Sequence, residues 1–302
     1  MRRLLLVYNP RSSRFADVKK DVLAKAHQLK GYLVGKYEVA RTDVDHNAKA
    51  LAKLLQDNDL VVAAGGDATA TIAVNGILQS NKDVALAVLP YGNFNDLSRT
   101  LGTKTFQDIF SRKTRMVKFY PLEISVNQQF FRFATCYITI GMTAEAVKIY
   151  DAPQLRKILK TRFGRTIGSY CSIAAWYFRH RHQKIFLPDF SLNGVKQANH
   201  TSDYFAINGR SMARVMRGSS DYHHRKTFHS STNRLTSFWR LFVFMLRSIL
   251  FHVPGTTTQQ DILNFFAPTT IKIQAEGEYK TFQQVTTVSI KRSEKSLKVL
   301  QY

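Results

Sequence analysis

Cysteine is scarce: the 302 residues hold two, Cys136 and Cys171. Two thiols build no disulfide framework, and a reducing compartment fits them. Both stand beside apolar neighbours, where cysteine is more often a core filler than a nucleophile. No Cys/His spacing of the metal-ligating kind occurs. No stretch reaches 18 uninterrupted apolar residues, so no transmembrane helix is expected. The apolar start Leu4–Tyr8 is stopped by Asn9-Pro10, so it reads as a first strand rather than a leader. Internal repeats and low-complexity tracts are missing, and no Pro/Gly/Ser-rich linker divides the chain.

Acidic residues are also few. There are 21 Asp and Glu against 44 Lys and Arg, a formal net charge of +23. The excess is uneven: residues 1–112 carry 16 basic and 11 acidic side chains, whereas residues 113–302 carry 28 and 10. Such a surface favours anionic partners, whether phosphometabolites, acidic lipid or nucleic acid. No helix-turn-helix, zinc or aromatic-platform signature accompanies the charge, so no specific nucleic acid is expected.

What is present centres on two stretches. Leu60–Val74 ends an apolar run at Gly65-Gly66-Asp67-Ala68-Thr69 and continues with a helical pattern. Val84–Arg99 repeats the logic, ending its run at Pro90-Tyr91-Gly92-Asn93-Phe94-Asn95-Asp96. Paired glycines let the backbone turn tightly and approach a ligand with no Cβ in the way. A helix N-terminus behind such a turn is a ready anion site. Each turn alone is also what a simple αβ connection looks like. Two in succession, each with an acid beside the glycine, favour ligand loops at the carboxyl edge of one parallel sheet.

In chain order, Arg3–Tyr8, Tyr32–Val39, Asp59–Ala64 and Val84–Leu89 read as strands, with helical spacing at Val18–Leu29, Ala48–Leu55 and Ile72–Ile77 between them. That alternation predicts parallel βαβ units. The pattern changes near Thr114. Met116–Val126 and Phe130–Ile140 read as strands of a hairpin joined at Asn127-Gln128-Gln129. Leu155–Leu159 and Ile167–Phe178 suggest helices. Gln183–Leu187, Phe190–Leu192, Val195–Ala198 and Tyr204–Asn208 return to short strands, with Asn193-Gly194 as a tight turn. Phe265–Phe266, Thr270–Gln274, Val285–Ile290 and Leu297–Leu300 are late strands. The expected architecture is an α/β domain with a parallel sheet over residues 1–113 and a mainly antiparallel β domain over 114–302. The C-terminal strands are candidates to return and complete the first domain.

Phe238–Phe251 is apolar nearly all round, with Arg240 and Arg247 seven residues apart. It reads either as a buried helix capping the second sheet or as an interfacial helix with snorkelling arginines. The Arg156–Arg165 cluster and Arg179-His180-Arg181-His182 are solvated faces or counter-charge for an anionic bilayer.

These motifs together resemble the diacylglycerol kinase catalytic family, specifically its small bacterial lipid kinases and sphingoid-base kinase relatives. The likeness lies in the Asn9-Pro10 turn, the Gly65–Thr69 signature and the Pro90–Asp96 element, the last of which separates these kinases from NAD kinases. The resemblance implies a phosphofructokinase- and NAD kinase-like first domain, a β-rich second domain, and ATP in the cleft between them. It places Asn9, Thr42, Gly65, Gly66, Thr69, Asn93, Asn95 and Asp96 around the nucleotide, and gives Asp67 a Mg²⁺ ion or its water. It likewise implies Asp221 for a structural Mg²⁺ and Glu276 as the general base toward a lipid hydroxyl. Ala68, Ile72, Asn93, Thr143, Tyr222 and Glu276 depart from the family's usual residues. The implied function is an ATP-dependent lipid kinase acting on diacylglycerol or a related membrane lipid. The alternative is a degenerate homologue that binds nucleotide or lipid without efficient transfer. The implied setting is the cytoplasm at an anionic membrane surface, with the chain alone or as a homodimer.

Overall fold

The structure is a computed structural model that describes residues 2–12, 14–40, 43–145, 171, 174–175, 177–178, 187–197, 200–212, 216–218, 226–235 and 237–302. The chain divides into two compact units, Met1–Pro121 with Ser293–Tyr302, and Leu122–Arg292.

The first unit is built on a six-stranded sheet. Strands β1 (Arg2–Tyr8), β2 (Tyr32–Glu38), β3 (Leu60–Gly65) and β4 (Ala85–Pro90) run parallel in the order β2-β1-β3-β4. The C-terminal strand Leu297–Gln301 adds itself parallel to β4, and β5 (Arg115–Phe119) closes the sheet antiparallel to it. Every residue of β3 is buried, as expected for an interior parallel strand covered on both faces. Helical segments α1 (Phe15–Val18) and α2 (Ala24–Ala26), joined by a π turn over Lys19–Leu23, follow β1. They press Val18, Val22 and Ala26 onto Leu4, Leu6, Val62 and Leu89. Helix α3 (Val44–Leu54) starts where the Asp43 carboxylate accepts the His46 N–H at 2.7 Å, a side-chain N-cap. Helix α4 (Asp67–Ser80) is buried along most of its length, and α5 (Asp96–Leu101) follows β4.

The second unit is an antiparallel sheet. Its strands are β6 (Leu122–Val126), β7 (Gln129–Ala134), β8 (Tyr137–Gly141), β9 (Phe190–Leu192), β10 (Val195–Lys196), β11 (Asp203–Ile207), β14 (Phe228–Asn233), β15 (Thr256–Thr258), β16 (Gln260–Ala275) and β17 (Glu278–Arg292). The order is β15-β14-β11-β8-β16-β17-β6-β7, with β9 on β16 and β10 on β9. A separate two-stranded ribbon joins β12 (Ser211–Met212) to β13 (Met216–Arg217). Ile138, Ile140, Tyr204, Ala206, Ile273 and Val288 lie in its core. Helix α6 (Phe238–Leu250) is N-capped by Ser237, whose Oγ accepts the Arg240 N–H at 3.3 Å, and stacks Phe244 on Phe205 of β11.

Several elements differ from the sequence reading. Met116–Val126 is two strands, β5 and β6, in different sheets, because Pro121 interrupts the run and has no N–H to donate. Phe130–Ile140 likewise breaks at Thr135-Cys136 into β7 and β8. The late fragments around Phe265 and Thr270 are one 16-residue strand, β16, whose register shifts between Asn264 and Ile271 absorb Pro268. The hairpins at Asn127-Gln128 and Asn193-Gly194 are as expected, with positive φ at both residues of each turn. Leu155–Leu159, most of Ile167–Phe178, Gln183–Phe186 and both basic clusters lie outside the described residues.

Candidate active site

The two glycine loops of the first unit are joined to each other. Gly65 ends β3, and Gly66 N-caps α4 in extended geometry. Asp67, the first residue of α4, turns its carboxylate onto the second loop. Its Oδ2 accepts the Asn95 N–H at 3.0 Å and its Oδ1 accepts the Asp96 N–H at 2.8 Å. The second loop is closed by Asn95. Its Oδ1 accepts the Gly92 N–H at 2.7 Å, and its Nδ2 donates to the Gly92 carbonyl at 2.8 Å. Asn95 holds this position in left-handed geometry, φ +58°, which asparagine tolerates better than most residues. The loops also touch backbone to backbone: a Cβ on Gly66 would come within 3.1 Å of the Gly92 Cα, and one on Gly92 would overlap Gly66. Gly92 therefore excludes a side chain, and at Gly66 a side chain would fit only if the facing backbone gave way slightly.

Two further groups brace the second loop. The Arg14 guanidinium donates to the Pro90 carbonyl at 3.1 Å and lies over the Tyr91 ring. Burial, with Asp21 nearby, pushes the Tyr91 phenol up to about 12, while Arg14 pulls the other way. Tyr91 is thus a neutral packing group. Asn9 shapes the turn after β1, its Oδ1 accepting the Arg11 N–H at 3.0 Å, an Asx turn. Arg11 itself is committed to the carbonyls of Val39 and Ala40 at 3.0 and 2.6 Å. Thr69 is buried in the first turn of α4, Asn93 is exposed on the loop, and Asp96 is buried at the start of α5. The N-terminus of α4, a 14-residue helix, aims its partial positive charge into this pair of loops.

Glu276 lies in the second unit, in the two-residue turn between β16 and β17. Glu276 and Gly277 have φ of +54° and +88°. The Glu276 side chain is buried, and its Oε1 accepts the Thr135 N–H, the Thr135 hydroxyl and the Cys136 N–H. The break between β7 and β8 is thereby pinned to the β16–β17 turn. The same break is held from β11, where Asn208 Nδ2 donates to the Thr135 carbonyl at 2.7 Å. At the opposite end of the β8–β11 pair, where Asp203 faces Gly141, the Thr143 N–H donates to Asp203 Oδ1 at 2.7 Å. Asp203 is wholly buried, and its Oδ2 has no hydrogen-bond partner. Burial pushes its carboxyl up to about 8, partly offset by the hydrogen bonds of Thr143.

Residues 3–119 match the model of the diacylglycerol kinase catalytic domain. The chain is 35% identical over 172 residues to a diacylglycerol kinase of Bacillus subtilis (strain 168), an alignment covering 55% of this chain and 52% of the relative. It is 36% identical over 168 residues to one of Staphylococcus haemolyticus (strain JCSC1435), covering 55% and 49%. The chain thus spans about half the length of the curated relatives it matches. In fold it resembles a diacylglycerol kinase crystal structure from Bacillus anthracis str. Sterne, with a TM-score of 0.66, 15% identity, and coverage of 100% of this chain and 97% of the other.

Within the matched residues 3–119, the structure brings Gly65, Gly66, Asp67, Thr69, Asn95 and Asp96 together at the ends of β3 and β4. Asn9 stands at the end of β1 in the same sheet edge. Thr42 and Asp221 lie outside the described residues. Sequence reasoning missed Arg14, which no motif marks, and missed that Asn95 is spent on its own loop. It also missed Thr135 and Cys136, whose backbone N–H groups meet Glu276 from 140 positions or more away.

Proposed function

We propose that the chain is an ATP-dependent lipid kinase of the diacylglycerol kinase type. The observation that supports this most is the Asp67 carboxylate gripping the backbone of the Asn95–Asp96 loop while the N-terminus of a buried helix faces the same loops. Two glycine turns locked in one arrangement form a preorganised phosphate cradle, the main requirement of phosphoryl transfer. The nucleotide is assigned to Asn9, Thr42, Gly65, Gly66, Thr69, Asn93, Asn95 and Asp96. Asn95 and Asp96 contribute by holding the loop's shape.

Among the described residues no group of three or more His, Cys, Asp or Glu side chains can hold a metal ion. Mg²⁺ is commonly held by one or two carboxylates together with substrate phosphates. Asp67 is such a carboxylate in this reading, with Asp221 assigned to a separate structural Mg²⁺. The ion, when bound, neutralises phosphate charge. Glu276 is assigned to the acceptor. The acceptor oxygen bonds to the γ-phosphorus as the bridging P–O bond to the β-phosphate breaks. The hydroxyl proton passes to the Glu276 carboxylate, and ADP departs. Three donors on Glu276 Oε1 keep that carboxylate in one orientation. The acceptor class is diacylglycerol or a related membrane lipid, met at an anionic membrane surface in the cytoplasm.

A second reading is favoured by one observation. Glu276 is buried and engaged by Thr135 and Cys136, which also suits a carboxylate kept for turn structure in a nucleotide- or lipid-binding protein without efficient transfer. Transfer of labelled γ-phosphate from ATP–Mg²⁺ to a panel of lipid hydroxyls in mixed micelles tests both. Transfer to one acceptor, lost in Asp67→Asn and Glu276→Gln, supports the kinase. Absent transfer by folded, nucleotide-binding protein supports the binding protein.

A further inference from the structure

Helix α6 buries only half of itself. Leu241, Phe244, Met245 and Ser248 face the sheet. The other side exposes Trp239, Phe242, Val243, Leu246 and Leu250, with Trp239 at 71% and Val243 at 58% of their full accessible surface. At 100° per residue these five side chains fall within one arc of about 100°. Arg240 and Arg247 are exposed and lie along one flank of that arc. On its other flank a wholly apolar cavity of about 210 Å³ opens between Phe238, Phe242, Met245, Leu246, Ile249 and Ala174. Basic groups gather at the C-terminal end. Arg217 donates to the Leu250 carbonyl at 3.3 Å. Arg247, His252 and His229 surround Phe251 in a pocket of about 480 Å³.

An apolar patch of this size on an exposed helix needs a cover. We propose that the cover is an anionic bilayer, and that α6 lies flat in its headgroup region with Trp239, Val243, Leu246 and Leu250 inserted. The inference rests on the lipid-kinase reading in taking a lipid surface as partner and adds which element engages it. Charge complementarity carries the choice. Arg240, Arg247 and Arg217 border the apolar arc, in a half of the chain with 28 basic and 10 acidic residues. These arginines reach headgroup phosphates while their stems lie along the apolar surface. A second copy packed antiparallel is a poorer cover, because that two-fold contact sets the two arginine rows on the same side, against each other. At 13 residues, about 20 Å long, α6 is too short to span a bilayer.

The test uses the full chain without nucleotide. Flotation with phosphatidylglycerol/phosphatidylcholine vesicles is compared with phosphatidylcholine alone, and Trp239 emission is read in a Trp176→Phe background with and without bromolipid. Trp239→Phe, retaining Trp176, supplies the difference signal. Binding confined to anionic vesicles, with Trp239 quenched by bromolipid, is expected. Arg240→Glu/Arg247→Glu lowers affinity roughly tenfold or more at low salt. Val243→Asp/Leu246→Asp abolishes quenching with the thermal melt unchanged. Bound wild-type protein with unquenched Trp239, or vesicle affinity unmoved by the arginine reversals, overturns the proposal. So does a dimer in sedimentation that Leu246→Asp dissociates, which assigns the face to a second copy. Insertion without phosphoryl transfer removes the kinase reading alone. Transfer to detergent-dispersed diacylglycerol without insertion removes this inference alone.

Discussion

The carboxylate of Asp67 accepts the backbone N–H of Asn95 at 3.0 Å, which ties the loop after β4 to the first turn of α4. A carboxylate in this position serves the fold and the proposed chemistry together. Asp67→Ala leaves the N–H groups of Asn95 and Asp96 without this acceptor, an expected loss of about 1–3 kcal/mol. Asp67→Asn keeps one oxygen acceptor but turns its NH2 toward the other backbone N–H, so it loses the charge and part of the same stability. Its expected signature is a melting temperature between those of wild type and Asp67→Ala with no ATP–Mg²⁺-induced rise, read by thermal melts with and without nucleotide.

Gly92 makes a sharper structural prediction. Its missing Cβ is what lets it pass Gly66, so Gly92→Ala pushes two backbones apart at a cost of about 1–3 kcal/mol. Gly194 is the control. A Cβ there meets nothing within 4 Å but sits at φ +81°, so Gly194→Ala costs only the conformational penalty, about 1 kcal/mol. Urea unfolding of both variants should rank Gly92→Ala as the more destabilising, with loss of nucleotide binding confined to it.

Asp203 predicts a pH dependence of known sign. Its carboxyl is raised by burial from 3.8 to about 8, so between these values the folded chain holds a proton that the unfolded chain has released. Its contribution to stability is complete below about pH 4 and is lost as pH rises through about 8. The difference in urea midpoint between wild type and Asp203→Asn should therefore grow in favour of the variant from pH 5 to pH 8. A difference that stays flat across that range would mean that Asp203 is ionised in the fold.

Glu276 separates reach from charge. Truncation to alanine strands the buried N–H groups of Thr135 and Cys136, with an expected loss of about 2–4 kcal/mol. Glu276→Gln keeps an oxygen in place and should unfold near wild type. Glu276→Asp suits left-handed turn geometry better but is one methylene short of Thr135. Calorimetry should order the three as glutamine, aspartate, alanine, from most to least stable. If alanine unfolds like wild type, the pinning of β7–β8 by this turn is not an energetic contact.

Much of the fold follows from local pattern. The four strand-like runs at β1 to β4, three of them largely buried, each followed by a turn and, after most, a helical period, need only their own residues to be read as parallel βαβ units. The hairpins at Asn127-Gln128 and Asn193-Gly194 are equally local, because φ above zero at adjacent positions is a property of the turn residues themselves. The turns at Gly65 and Gly92, each between a strand and a helix, are legible for the same reason.

Other features depend on partners far along the chain. The strand Leu297–Gln301 joins the first sheet beside β4, more than 200 residues away, and nothing in its five residues names that neighbour. Met116–Val126 reads as continuous by its apolar alternation; Pro121 marks the break, and sheet pairing decides that β5 and β6 go to different sheets. Asn95 faces its own loop rather than a ligand, because Gly92 presents both a donor and an acceptor within its reach. Helix α6 is apolar all round in composition, so periodicity could not tell its buried side from its exposed one. The contact of Phe244 with Phe205 decides that, since burial is set by what packs against a side chain and hydrophobicity alone cannot supply it.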